Sequence, residues 1–181
     1  TLIWLPLLPV LVKLVMKVLP NKEIAEVPEY EPRFLDNNVR HLPSAALNLT
    51  RNELVRIGQY VADMAHVACV GFIFGADEKM EKVYELEDIV DILQDKTTNY
   101  LSSLCTTGYL TAKQSGTVSK LIHAASDFER IGDQLTSISN FAKLKKEKGY
   151  TFTETAMEEL KETFHKVNKM LDDTVQALDT S

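Results

Sequence analysis

The fold is decided by residues 121–142, which read LIHAASDFERIGDQLTSISNFA. Apolar side chains return there every three or four positions, at Leu121, Ala124, Phe128, Ile131, Leu135, Ile138 and Ala142. This spacing places them on one face of an α-helix, and that face must pack against other helices. A strand would alternate every two residues, and the sequence contains no such alternation of useful length. The sequence therefore predicts an all-α fold without a sheet.

Three further stretches show the same periodicity. The first contains Leu54, Ile57, Val61, Met64 and Ala68. The second contains Val83, Leu86, Val90, Leu93, Tyr100 and Leu104. The last contains Met157, Leu160, Phe164, Val167, Leu171 and Leu178. Long helices joined by short loops fold back on one another, so we expect an elongated antiparallel bundle of three to four helices.

Local signals predict where these helices begin and end. Thr50 with Glu53, and Thr111 with Gln114, have the spacing of a capping box, which predicts the starts of the first and third helices. The other predicted boundaries are a second helix from Asp77, a fourth after Thr151 or Thr153, and ends at Gly75 and Gly149. A glycine at a helix end adopts the left-handed conformation without strain.

The first 49 residues differ in character from the rest. Residues 1–19 are apolar apart from Lys13 and Lys17, and we expect them to be the end of a last transmembrane helix. Basic residues follow this stretch, which predicts that the remainder is cytoplasmic. A soluble helix packed in a core is the alternative. Residues 20–49 contain four prolines and read as a linker, and residues 50–181 form the predicted bundle.

Composition excludes several classes of function. The formal net charge of -6 argues against nucleic acid as a partner, because phosphate contacts need clustered Lys and Arg. Two cysteines, Cys69 and Cys105, make no disulfide framework, and we expect both to be reduced. The sequence shows neither a Ser-His-Asp type of nucleophile nor a glycine-rich phosphate loop. We therefore expect a protein that is not an enzyme and binds no organic cofactor.

Two acidic pairs carry the clearest chemistry. Glu87 and Asp91 in the second helix, and Glu129 and Asp133 in the third, are each four residues apart and so share a helix face. If the two helices are neighbours, the four carboxylates converge and form a site for a hard cation such as calcium, magnesium, manganese or iron. Acidic pairs also occur on ordinary solvated faces, which is the alternative. Gly132, within the third helix, predicts either a close helix approach or room for a ligand.

These strings resemble a known family. SDFERIGDQ, residues 126–134, looks like the hallmark of PhoU-type proteins, and EDIVDILQ, residues 87–94, resembles the paired motif of that family. FLDNNVRHLPSAALNLTRNELVRIG, residues 34–58, is similar to the segment that follows the last membrane helix of sodium-dependent phosphate (Na/Pi) cotransporters. The resemblance implies a helical protein of two three-helix repeats, the second one incomplete in this chain.

The resemblance also implies a function. PhoU proteins are associated with control of phosphate uptake, and some carry iron or zinc clusters on the acidic motifs. By position, the ligands here are Glu87, Asp91, Glu129 and Asp133. We expect a regulatory domain on the cytoplasmic side of the cell inner membrane, joined through residues 1–19 to an upstream transporter domain and able to form a homodimer. A free-standing PhoU-like regulator and a ligand-free helical oligomerisation module are the alternatives.

Overall fold

The structure, a computed structural model, describes residues 29–180. It contains a short 3-10 helix, Asn37–Val39, and four long helices: α1, Pro43–Phe74; α2, Asp77–Cys105; α3, Ala112–Lys148; and α4, Glu154–Asp179. No strand occurs within the described residues, so the predicted all-α bundle is confirmed. The apolar segment at residues 1–19, predicted to derive from a membrane helix, lies outside the described residues.

Helix α1 occupies the centre of the bundle. It packs against α2, α3 and α4, and α2 and α3 also pack against each other, whereas α4 contacts α1 alone among the long helices. Among the described helices, α1 is long and apolar enough to cross a membrane by length and composition. Core helices of soluble proteins pass the same test, and burial against three neighbours accounts for the apolar character of α1.

Most of the predicted helix boundaries are confirmed. Helix α2 begins at Asp77. Thr111 precedes α3 and forms the complete capping box with Gln114, and Thr153 caps α4 by accepting the N–H of Ala156. Gly75 and Gly149 end α1 and α3 in the left-handed conformation, with φ of 66° and 65°. These boundaries depend on local backbone chemistry, which the sequence displays directly.

The predicted start of the first helix is wrong. Helix α1 begins at Pro43, within the predicted linker, because proline is tolerated in a first helical turn, where its missing N–H has no helical partner. Thr50 lies inside the helix, fully buried, and its hydroxyl donates to the carbonyl of Ala46 at 2.8 Å. Glu53 bonds instead to the chain that precedes α1, so the apparent capping box is no cap.

The predicted apolar seams lie largely in the core, although several of their members in α3 and α4, among them Ile131, Ile138, Met157 and Leu160, are only half-buried. In α3, Ala125 is fully buried and Ala124 is only half-buried. In α4, Val167 is 39% exposed, because α4 packs on α1 and has no second long helix to cover its other side.

The two cysteines are both free. Cys69 is half-buried, and burial raises the pKa of its thiol, whereas Cys105 is exposed.

Candidate functional site

The packing of α2 against α3 determines where the acidic pairs lie. In α2, Leu86 and Val90 are buried, and in α3 Phe128 is buried, so the acids between these positions turn toward the outer face. Glu87 and Glu129 are half-buried, and Asp91 and Asp133 are exposed. The four carboxyls therefore lie at the border between core and solvent, along the line where the two helices meet.

The acids of the two helices act on one another electrostatically. Partial burial, followed by the charge of Asp133, raises the pKa of Asp91. Partial burial, followed by the charges of Asp133 and Asp91, raises the pKa of Glu129. Like charges that face one another disfavour ionisation. The structure thus brings the pair from α2 and the pair from α3 to one side of the bundle.

Within α2, Glu87 and Asp91 share a hydrogen bond. Burial is the main cause that raises the pKa of Glu87, and the charge of Asp91 adds to it. The hydrogen bond raises the pKa of Glu87 further and lowers that of Asp91. The two carboxyls of this pair therefore titrate as a coupled pair, and partial burial together with their neighbouring acids disfavours full ionisation of both.

Basic side chains do little to compensate these acids. Among the described residues, no Lys, Arg or His forms an ion pair with Glu87, Asp91, Glu129 or Asp133. Arg130 lowers the pKa of Glu129, but burial and neighbouring acids outweigh it, and its Nη1 lies 3.8 Å from an exposed oxygen of Asp127. The acidic face, as we call these four residues, is rich in charge and short of cations.

The acidic face has the donor chemistry of a hard-cation site, since it supplies carboxylate oxygens from two packed helices. Asp91 and Glu129 also line one open pocket of about 410 Å³. Within residues 29–180, however, no group of three or more His, Cys, Asp or Glu side chains is already placed to hold a metal ion. The residues fit a cation only if their side chains turn further toward one another.

Gly132 does not have the predicted role. A Cβ built there would lie 3.6 Å from Cε of Met64 and 3.9 Å from Cγ1 of Val90, which is ordinary contact within the core. The close approach occurs at Gly58 of α1, where a Cβ would lie 2.8 Å from Cζ of Phe128 and 2.9 Å from Cγ2 of Val175. Gly132 also faces α1 and α2 within the core, so neither predicted explanation holds.

Sequence reasoning missed one pair of charged residues altogether. Glu53 is 0% exposed and Arg56 is 6% exposed, and Arg56 Nη1 lies 2.6 Å from Glu53 Oε1. The available signal was an acid and an arginine three residues apart within an apolar helix, where isolated charges are costly. That signal indicates a buried pair with further partners.

One family model matches the central part of the bundle. Residues 54–142 match the family model of the PhoU domain, which covers most of α1, all of α2 and most of α3, including both acidic pairs. No curated protein and no solved structure matches the chain. The expected PhoU resemblance is confirmed at the level of the domain, since the match supports a PhoU-like domain over residues 54–142.

Proposed function

We propose that this chain is the cytoplasmic regulatory domain of a sodium-dependent phosphate symporter at the cell inner membrane. The observation that carries the proposal is the PhoU-domain match, which spans the helices that hold the acidic pairs and supports a phosphate-related regulatory role. The segment at residues 34–58 resembles the corresponding cotransporter segment, and the apolar residues 1–19 supply a membrane connection. In this proposal, the bundle controls phosphate uptake and transport itself belongs to an upstream domain.

The acidic face supplies the second half of the proposal, a metal site. Glu87, Asp91, Glu129 and Asp133 carry raised pKa values or cause them in their neighbours, so the face is under electrostatic repulsion. A bound cation would relieve that repulsion. Because its carboxylate ligands come from both helices, the cation would also link α2 to α3. Oxygen-only ligation favours calcium, magnesium or iron over zinc, which prefers nitrogen and sulfur.

Elemental analysis of protein purified without chelators tests the metal site. We expect a bound metal in the parent chain and its loss when Asp91 and Asp133 are replaced with asparagine. The matched control is Glu85→Gln with Asp127→Asn, which makes the same change of charge on the same two helices away from the acidic face. Equal metal content in both variants, or no metal in the parent after incubation with iron or calcium, would contradict the site.

The symporter assignment is tested separately. The coding sequence before Thr1 is expected to encode membrane helices, and carbonate extraction is expected to leave the full-length protein in the membrane fraction. Phosphate uptake by cells that express the full-length protein is expected to change when Asp91 and Asp133 are replaced, but not with the control pair. A full-length protein that carbonate releases would favour the free-standing regulator instead.

A further inference from the structure

Residues 29–40, which belong to the predicted proline-containing linker, lie along α1 and α2. We call this segment the strap. Its contacts involve side chains of both helices, and they begin at residue 29, the first that the structure describes. The strap ends in the 3-10 helix Asn37–Val39, which Asp36 caps by accepting the N–H of Asn38. Proline restricts backbone freedom here, but the docking comes from specific polar contacts.

The first anchor is the buried carboxylate of Glu53. One of its oxygens accepts the backbone N–H groups of Arg33 and Phe34, each at 2.8 Å. The other oxygen accepts Nη1 of Arg56 at 2.6 Å. A fully buried carboxylate needs several donors, and the strap provides two of them from its backbone.

Arg56 holds the strap through carbonyl oxygens. Its Nη1 donates to the carbonyl of Glu31 at 2.9 Å, and its Nη2 donates to the carbonyl of Glu29. The guanidinium also lies over the ring of Tyr60, 5.5 Å from the ring centroid. Arg56 therefore spans from the core of α1 to the first residues of the strap.

Helix α2 provides the second set of anchors. Lys96 Nζ donates to the carbonyl of Tyr30 at 3.2 Å and to the carboxylate of Glu31 at 2.7 Å. The hydroxyl of Tyr100 donates to the carbonyl of Asp36 at 2.7 Å. The strap is thus hydrogen-bonded to both α1 and α2.

The energetics of the buried pair explain why the docking is specific. A buried ion pair contributes little net stability compared with apolar residues, because each ion is costly to desolvate. Glu53 and Arg56 depend on the strap for most of their partners, since four of their hydrogen bonds go to strap backbone groups. Undocking would break four hydrogen bonds to charged groups at once, so partial release is unfavourable.

We propose that the strap is a rigid coupling element that holds residue 29 in a fixed position relative to both α1 and α2. The buried Glu53–Arg56 pair positions the strap on the two helices. A displacement applied at residue 29 would then move α1 and α2 as one body. The inference requires neither the metal site nor the symporter assignment.

Amide exchange of the whole chain, followed residue by residue by NMR, tests the strap. The test variant combines Glu53→Leu with Arg56→Met, which removes the charges and leaves an apolar helix surface. We expect the exchange of the Arg33 and Phe34 amides to accelerate about tenfold or more, while core amides of α3 stay protected. The matched control, Lys161→Met with Glu158→Gln, removes an exposed acid–base pair of the same three-residue spacing on α4 and should not change the exchange of either amide. Unchanged protection in the test variant would overturn the proposal.

Distance measurement between spin labels tests the rigidity itself. Labels at Glu29→Cys and Asp88→Cys, with Cys69→Ala and Cys105→Ser, are expected to give one narrow distance distribution that broadens in the Glu53–Arg56 variant. If that variant does not fold, Lys96→Met with Tyr100→Phe removes the polar α2 anchors while keeping the buried ring of residue 100, and it is expected to broaden the distribution too. A distribution that is already broad in the parent label pair would show that the strap does not couple residue 29 to α2.

Discussion

The buried pair under the strap and the acidic face use the same carboxyl chemistry with opposite results. Glu53 is fully buried, yet two backbone N–H groups and Arg56 satisfy it. The acidic face is better solvated, yet its carboxyls face one another without an ion-pair partner among the described residues. The difference shows that partners, more than burial, decide whether a carboxylate stabilises a fold or repels its neighbours.

The helix packing next to the buried pair is also tighter than the packing next to the acidic face. Gly58 lies five residues after Glu53 in α1, at a crossing where no Cβ fits without displacing Phe128 or Val175. Gly132, next to Asp133, has room for a Cβ at ordinary contact distance from Met64. The region under the strap is closely packed and its buried carboxylate is hydrogen-bonded, whereas Gly132, beside the acidic face, has room for a methyl group. Four substitutions test this contrast, and the change in stability expected from each is smaller than from the one before.

Replacing Arg56 with methionine should have the largest effect. It leaves the Glu53 carboxylate buried without its charged partner, which typically costs about 3–5 kcal/mol. Urea unfolding monitored by circular dichroism measures the loss in free energy of unfolding. Adding Glu53→Leu should recover much of that loss, because the double variant buries no charge. A single variant as stable as the parent would show that Glu53 does not depend on Arg56.

Replacing Gly58 with alanine should cause the next largest loss of stability. The added methyl would lie 2.8 Å from Phe128 and 2.9 Å from Val175, so α1 must shift away from α3 and α4. Overpacking of this kind costs about 1–3 kcal/mol, which exceeds the gain in helix propensity from alanine. The same urea titration measures it, and trimming the opposing residue with Val175→Ala should reduce the cost on that side. An alanine variant that gains stability would contradict the close crossing.

The sequence predicted those features that depend on local spacing. The apolar repeat in α3 and the capping box of Thr111 with Gln114 require only neighbours along the chain, and both appear as expected. The four-residue spacing of Glu129 and Asp133 likewise placed both on one side of their helix.

Features that depend on distant partners could not be predicted. Thr50 and Glu53 have the spacing of a cap, but Glu53 binds backbone groups of Arg33 and Phe34 about twenty residues earlier. Gly58 appears ordinary in the sequence, because its neighbours Phe128 and Val175 come from α3 and α4. Nothing local distinguishes it from Gly132, and only the packing of helices does.

Gly132→Ala should have a smaller effect of opposite sign. The methyl meets Met64 and Val90 at ordinary contact distances, and alanine is favoured over glycine inside a helix by up to about 1 kcal/mol. We therefore expect a neutral to stabilised bundle, seen as a rise in the thermal midpoint. A clear loss of stability in the metal-free protein would contradict this expectation. It would show that α1 and α2 lie too close to Gly132 for a methyl group to fit.

Relief of repulsion on the acidic face should have the smallest effect and a dependence on pH. In metal-free buffer at pH 7, Asp91→Asn with Glu129→Gln should stabilise the bundle by about 0.2–0.5 kcal/mol, since solvent screens exposed charges. Both parent carboxyls have raised pKa values in the folded state, so they stabilise the fold below their ordinary pKa range. That contribution is lost as pH rises through the raised values.

The advantage of this variant over the parent should therefore shrink as pH falls from 7 toward 4, where the parent carboxyls take up protons. Added salt should shrink it at pH 7 as well, because the repulsion is screened. Glu85→Gln with Asp127→Asn, which lies off the acidic face, should show no such trend, since neither residue contributes to the raised pKa values. An advantage that grows on acidification would mean that these carboxyls are stabilised as anions, and the contrast with Glu53 would disappear.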